Sequence, residues 1–191
     1  ASGIDSFAAA IANNTATYGA QGANSIAMGQ RAKAVDGTSV AIGQDAAASN
    51  GGYALGLEAV ASGTRSVAIG DNASASGSGS IALGYNTVAT ATRSYSLSAY
   101  GRAEQAYSAT LFGARAASRV QGKATYGPAY LVAQGEVQGG MLVCTVQTTD
   151  DTASVLTSTN GSASTNNQVI LPNNSAYSFS GTIVARQKAS D

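Results

Sequence analysis

The stretch TSVAIGQDAAASNG, residues 38–51, holds the key to this chain's architecture. Within it, Ser39-Val40-Ala41-Ile42-Gly43 is one copy of a five-residue figure. The figure returns as Ser25-Ile26-Ala27-Met28-Gly29, Ser66-Val67-Ala68-Ile69-Gly70 and Ser80-Ile81-Ala82-Leu83-Gly84. The glycines at 29, 43, 56, 70 and 84 are separated by steps of 14, 13, 14 and 14. The frame outlives the glycine, because Leu97-Ser98, Leu111-Phe112 and Tyr126-Gly127 follow at steps of 14, 14 and 15. Upstream, residues 5–9 and 14–19 read as eroded copies, so about eight units fill residues 4–127. A period of this kind has to be read before any local structure.

Within a unit the apolar residues alternate. Val40 and Ile42 share one face and Ala41 takes the other, the period-two signature of a short strand. A second alternating run, Asp45-Ala46-Ala47-Ala48, follows the glycine, and Ser49-Asn50-Gly51 closes the turn. Each unit therefore reads as one coil of two short strands and two turns, stacked on the next by parallel pairing. Alanine at the inner positions lets the coils be thin, and glycine or Asn-Gly at the corners is expected to supply positive backbone angles. At about 4.8 Å per coil, eight coils make a rod of roughly 38 Å. One coil cannot bury its own apolar face, so neighbours must do so. With three Phe and no Trp in 191 residues, the outer apolar surface of each coil is expected to be covered by another chain.

The figure Ser-Val-Ala-Ile-Gly, two variable residues, Ala-x-Ala and a Gly-containing turn resembles the head repeat of the trimeric autotransporter adhesins, the YadA-like heads. The resemblance covers about residues 4–127 and implies a trimeric, left-handed parallel β-roll. The same repeats also occur in phage tail fibres. Matrix binding by such heads has been associated with an Asn-Ser-Val-Ala-Ile-Gly-x-x-Ser pattern. Asn24-Ser25-Ile26-Ala27-Met28-Gly29 comes near it, but Ala32 stands where the final serine would be.

After Gly127-Pro128 the repeat stops. Alternating runs at 130–132, 140–149, 168–171 and 177–185 predict longer antiparallel strands separated by the polar loops 158–167 and 172–175. The segment LPNNSAYSFSGTIVARQKASD, residues 171–191, resembles one found in bacteriophage tail fibre and tail spike proteins. The expected organisation is all-β: a roll domain over residues 1–128 and a small antiparallel β domain over 129–191. No signal peptide is legible at Ala1-Ser2-Gly3, and no coiled-coil stalk or membrane anchor after the roll; the missing stalk and the segment 171–191 favour the fibre context over the autotransporter one.

Composition narrows the chemistry. Ten basic and ten acidic side chains give a formal net charge of zero, which argues against strong nonspecific nucleic-acid binding. No long apolar run suggests a membrane span. The chain has no histidine, so Ser-His-Asp and Cys-His arrangements are excluded and ordinary zinc sites nearly so. The single cysteine, Cys144, lies in an apolar run and is expected to be a small core residue. Asp150-Asp151 reads as a solvated turn, and no Gly-rich loop precedes a Lys-Ser/Thr pair. No enzyme activity, metal or cofactor is expected.

What remains is surface. Residues 93–123 carry Arg93, Arg102, Arg115, Arg119 and Lys123 against Glu104. Residues 1–92 hold Arg31, Lys33 and Arg65 against Asp5, Asp36, Asp45, Glu58 and Asp71. Tyrosines 95, 100, 107, 126 and 130 accompany the basic part. Tyrosine offers a flat apolar face with a hydroxyl and arginine a planar fork of donors, which together suit sugars bearing carboxylates or phosphates. Arg93, Tyr100, Arg102, Tyr107 and Arg115 are thus the candidate glycan-binding residues, against the alternative that the tyrosines fill a widening core, as Tyr95 does at the Val40 position. The expected partners are two further copies of the chain and a bacterial surface polysaccharide or other cell-surface receptor. The expected location is a virion tail fibre, alternatively the bacterial outer surface.

Overall fold

A computed structural model describes residues 1–10, 17–129, 133–148, 152–170 and 176–184. Among these it is all-β, a solenoid of about eight coils with two parallel sheets. The first sheet stacks Phe7–Ala9, Ile26–Met28, Val40–Ile42, Tyr53–Leu55, Val67–Ile69, Ile81–Leu83, Tyr95–Ser96, Ala109–Gly113 and Ala124–Ala129. The second stacks Gly19–Ala20, Lys33–Ala34, Ala47–Ala48, Val60–Ala61, Ser74–Ala75, Val88–Ala89, Arg102–Ala103 and Ala117–Ser118. Register follows the sequence period, with Val40 beside Tyr53, Tyr53 beside Val67 and Ile81 beside Tyr95. Tyr95 therefore occupies the Val40 column, on the outer face of the sheet rather than inside it.

The recurrent pentad can now be read atom by atom. Its alanine points inward: every buried apolar residue among those described is an alanine. Its serine is buried at the turn, and in some coils its hydroxyl closes the turn: Ser25 Oγ donates to the Gly22 carbonyl at 2.6 Å and, at the equivalent place, Ser94 Oγ to that of Ala91 at 2.8 Å, whereas the Ser66 and Ser80 hydroxyls have no partner. Its two larger apolar residues point outward and remain part-exposed, among them Ile26, Met28, Tyr53 and Ile69. Its glycine permits the close approach of coils. A Cβ on Gly43 would lie 2.2 Å from the Gly56 carbonyl oxygen, and φ there is +132°.

The corners differ from expectation. Besides the pentad glycine, a coil has two corner positions at positive φ, and glycine holds only some of these. One corner ladder runs Arg31, Asp45, Glu58, Asn72, Asn86, Tyr100, Arg115, all with φ between 50° and 64°. The other runs Asn24, Thr38, Gly51, Arg65, Gly79, Arg93, Tyr107, Gly122. A bulky residue in this region costs about 1–2 kcal/mol. The cost is offset because the amide at each corner is held by the preceding coil: Asp45 N–H donates to the Gln30 carbonyl and Glu58 N–H to that of Gln44, each at 2.9 Å. Stacking fixes the angle, so the side chain is free to vary.

The expected copy at residues 14–19 is described only from Thr17, and its Gly19 lies in the second sheet rather than at the end of a first-sheet strand. Gly19–Ala20 is a strand of the second sheet, and the first-sheet step from Phe7 to Ile26 is 19 residues. Residues 14–16 themselves lie outside the described residues.

Beyond the roll, Val137–Met141 runs antiparallel to Ala124–Ala129 and ends the parallel stack. Gln138 Oε1 also accepts the Ala117 amide at 3.0 Å, so the same segment covers the edge of the second sheet. An antiparallel bridge joins Thr145 and Thr157. Among the described residues the expected runs at 168–170 and 177–184 form no ladder, and Ile183 and Val184 are almost fully exposed. The expected features at 130–132, Asp150-Asp151, the loop at 172–175 and the residues from 185 onward lie outside the described residues. Cys144 is half-buried rather than a core residue.

Candidate attachment surface

The five candidate residues occupy three places. Arg93 and Tyr107 sit one coil apart on one corner ladder. Arg93 Nη1 donates to Tyr107 Oη at 3.1 Å and the guanidinium lies 5.8 Å from the ring centroid. Tyr100 and Arg115 sit on the other ladder, with the guanidinium 4.3 Å from the Tyr100 centroid, a cation–π contact. Tyr85 meets Tyr100 edge-on at 5.1 Å and enlarges this cluster. Arg102 lies on the outer face of the second sheet, where Glu104 accepts from Arg102 Nε at 2.6 Å and from Arg119 Nε at 3.2 Å. The structure therefore brings the candidates together as two pairs and an ion-paired arginine rather than as a single site.

The Tyr100–Arg115 corner is partly occupied by the chain itself. Gln134 Nε2 donates to the Tyr100 carbonyl and, at 3.3 Å, to that of Ala116, and Gly135 N–H donates to the Arg115 carbonyl at 3.2 Å. The Arg93–Tyr107 pair is open, with Tyr107 54 % exposed.

Sequence reasoning missed Arg65, which falls outside the basic run but on the same ladder as Arg93, two coils earlier. Beside it lies a shallow cleft of about 430 Å³, bounded by Asp36, Thr38, Asn50, Tyr53, Thr64 and Arg65. The cleft exists because Gly51, between Thr38 and Arg65 on the ladder, has no side chain to fill it. Asp36 Oδ2 accepts the Asn50 amide at 2.8 Å. The signal that could have found Arg65 is its 28-residue spacing from Arg93, two repeats of 14.

Elsewhere on the surface, Arg31 makes a two-pronged pair with Asp45 on the next coil, with both contacts at 2.5 Å. Hydrogen bonding to Arg31 holds the Asp45 carboxyl below the usual aspartate range, and the same bond raises the Arg31 guanidinium. Burial lowers the Lys123 ammonium. Among the described residues no group of His, Cys, Asp and Glu could hold a metal, and no helix is long and apolar enough to cross a membrane.

The family model described as YadA head domain repeat (2 copies) matches residues 20–46, 47–73 and 75–94. The first two matches each span 27 residues, the length of two coils, so the family's two-copy unit coincides with the structural repeat. No curated protein and no solved structure matches the chain. The pentad, its parallel stacking and this match agree, and the coils between residues 20 and 94 are similar to YadA head domain repeats.

Proposed function

We propose that this chain is a homotrimeric, non-enzymatic fibre protein that attaches a particle to a cell surface, as part of a phage tail fibre contacting surface glycan of a bacterial host. The coarser part of this reading, an adhesin-like, surface-exposed fibre protein, follows from the YadA head repeats. The observation that carries the assembly is the division of apolar residues within each coil. Alanine, serine and threonine fill the interior, while Val, Ile, Leu and Tyr line the outer face of the first sheet along the roll. Fully burying one such side chain stabilises by about 1.5–3 kcal/mol, so a column of them favours covering by further copies. The second sheet offers no comparable face, since its outer column reads Lys33, Ala47, Val60, Ser74, Val88, Arg102. Threefold assembly multiplies weak contacts into avidity when the sites engage one surface together.

The phage context is supported by the resemblance of residues 171–191 to tail fibre segments. The YadA repeats themselves favour a second reading, the head of a bacterial adhesin binding extracellular matrix or host cells. Labelled protein applied to a panel of bacterial strains and to immobilised matrix proteins separates the two. Selective labelling of a few strains, lost when their surface glycans are stripped, is the expected result. Binding to matrix proteins with no labelling of bacteria would favour the adhesin head. Binding to neither would leave a structural spacer.

A further inference from the structure

The three successive corners Ser62-Gly63-Thr64-Arg65, Ser76-Gly77-Ser78-Gly79 and Thr90-Ala91-Thr92-Arg93 stack directly on one another. Thr64 accepts the Gly79 amide at 2.8 Å and Ser78 that of Arg93 at 2.8 Å, through their backbone carbonyls. Their hydroxyl side chains, Ser62, Thr64, Ser76, Ser78, Thr90 and Thr92, are exposed, as are both arginines. No carboxylate belongs to these corners. Asp36 lies two coils below Arg65, and Glu104, above Arg93, is already held by Arg102 and Arg119. Asp45, Glu58 and Asp71 belong to the opposite corner of their coils.

Arg65 has φ +53° and Arg93 +50°, whereas the same ladder accommodates Gly51, Gly79 and Gly122. Arg65 makes no ion pair among the described residues, and Arg93 is paired with the Tyr107 hydroxyl rather than with a carboxylate. Gly79 between them, like Gly51 below Arg65, brings no side chain of its own to the strip, and the stem of Arg93 lies over Gly79, with Cγ 3.6 Å from where a Cβ there would stand. Coils about 4.8 Å apart put the two arginines about 10 Å apart along the rod, comparable with the length of a disaccharide. Tyr107, one coil further on, adds an exposed ring on which a sugar can stack.

We infer that this corner strip, Arg65 through Tyr107, binds a linear acidic glycan lying along the rod, with carboxylates two sugars apart held by Arg65 and Arg93. The serine and threonine hydroxyls between them bond the sugar hydroxyls. A neutral glycan would leave both guanidinium groups without an anionic partner, and a compact anion would reach only one. The inference rests on the attachment reading and assigns it a site and a ligand class. The strip precedes the buried Ser66, Ser80 and Ser94, so it lies off the outer face of the first sheet that further copies would cover.

The test uses unsulfated chondroitin, alginate and polysialic acid oligosaccharides, with carboxyl-reduced chondroitin as the neutral control, in calorimetric titrations. The variant is the double substitution Arg65→Gly/Arg93→Gly, which places at both corners the residue already present at Gly51 and Gly79. Its thermal unfolding should be no lower than that of the parent protein. The parent protein is expected to bind at least one acidic oligosaccharide, not to bind carboxyl-reduced chondroitin, and to weaken with added salt. The double variant should bind about tenfold more weakly or worse. Binding to none of the three, equal binding to the reduced control, or equal binding by the double variant overturns the inference. The same two proteins applied to the bacterial panel distinguish its failure from that of the attachment reading. Cells labelled equally by both would retire the strip and leave attachment standing, whereas labelling by neither would retire attachment as well.

Discussion

Gly56 has φ +140°, and a Cβ there would lie 2.3 Å from the Gly70 carbonyl oxygen one coil on. Gly79 also has positive φ, +63°, but its nearest neighbour would be Arg93 Cγ at 3.6 Å. Substitution by alanine should therefore separate the two reasons for glycine. Gly79→Ala is expected to cost about 1 kcal/mol, the conformational term alone. Gly56→Ala forces two coils apart and is expected to cost on the order of 3 kcal/mol or more, read from denaturant unfolding of both variants. The Arg31–Asp45 pair makes a different prediction at this scale. The folded-state value of Asp45 is lowered, so its contribution is present above the unfolded aspartate value of about 3.9 and is lost as pH falls through the folded value. Both partners are reached by solvent, so the effect is small and screened by salt. Unfolding measured from about pH 5 to about pH 2 should show the parent protein losing its advantage over Asp45→Asn across that window. The inward alanine and outward Val or Ile were legible in the sequence, because a two-residue period assigns faces directly. The corner residues were not. Arg, Glu and Tyr at positive φ are held by hydrogen bonds from another coil, and local propensity carries no trace of a partner 14 residues away.

At the scale of the strand ladders, the inner column of the first sheet changes character along the rod. It reads Ala27, Ala41, Ala54, Ala68 and Ala82, then Ser96, Thr110 and Thr125, all fully buried. The hydroxyls form a chain, as Thr87 Oγ1 donates to Ser96 Oγ at 2.7 Å and Ser96 Oγ lies 2.7 Å from Thr110 Oγ1. Space for it comes from Gly101, where a Cβ would fall within 2.8 Å of the hydroxyl oxygens of Ser98, Ser96 and Thr110. Ser96→Ala restores the residue found in the five preceding coils, yet it strips a buried partner from both Thr87 and Thr110. It is expected to cost about 1–3 kcal/mol. Ser80 is equally buried, but its hydroxyl has no hydrogen-bond partner. Ser80→Ala should be neutral or slightly stabilising, and chemical denaturation of the two variants checks the contrast. The period located these columns in the sequence, but not the exchange among them. Thr87 and Gly101 hold successive places in the corner column of Ala46, Ala59 and Ala73, and only the packed coils show that one fills what the other vacates. The candidate glycan residues were legible as residue types but not as a site. Sequence proximity grouped Arg102 with Arg93, whereas stacking groups Arg93 with Arg65.

For the whole molecule, the distribution of apolar surface makes one face of the rod different from the other. Leu83 lies on the outer face of the first sheet, in register with Ile69, and each coil places a large apolar residue in that column from Met28 to Leu97. Val88 lies on the outer face of the second sheet beside Ser74 and Arg102. Both side chains point away from the alanine core, and both are half-buried in the single chain, so neither substitution opens a cavity within a coil. If copies meet through the first sheet, a lysine at Leu83 places a charge in a dry interface, whereas a lysine at Val88 remains in water beside residues already polar. Light scattering of the parent protein is expected to give the mass of three chains. Val88→Lys should keep that mass with little change in thermal unfolding. Leu83→Lys should lower the mass or the unfolding temperature, with the loss growing on dilution as mass action requires of an assembly. A single-chain mass for the parent protein, or equal behaviour of the two variants, would contradict assembly through this face and leave its column of Val, Ile and Leu side chains facing solvent.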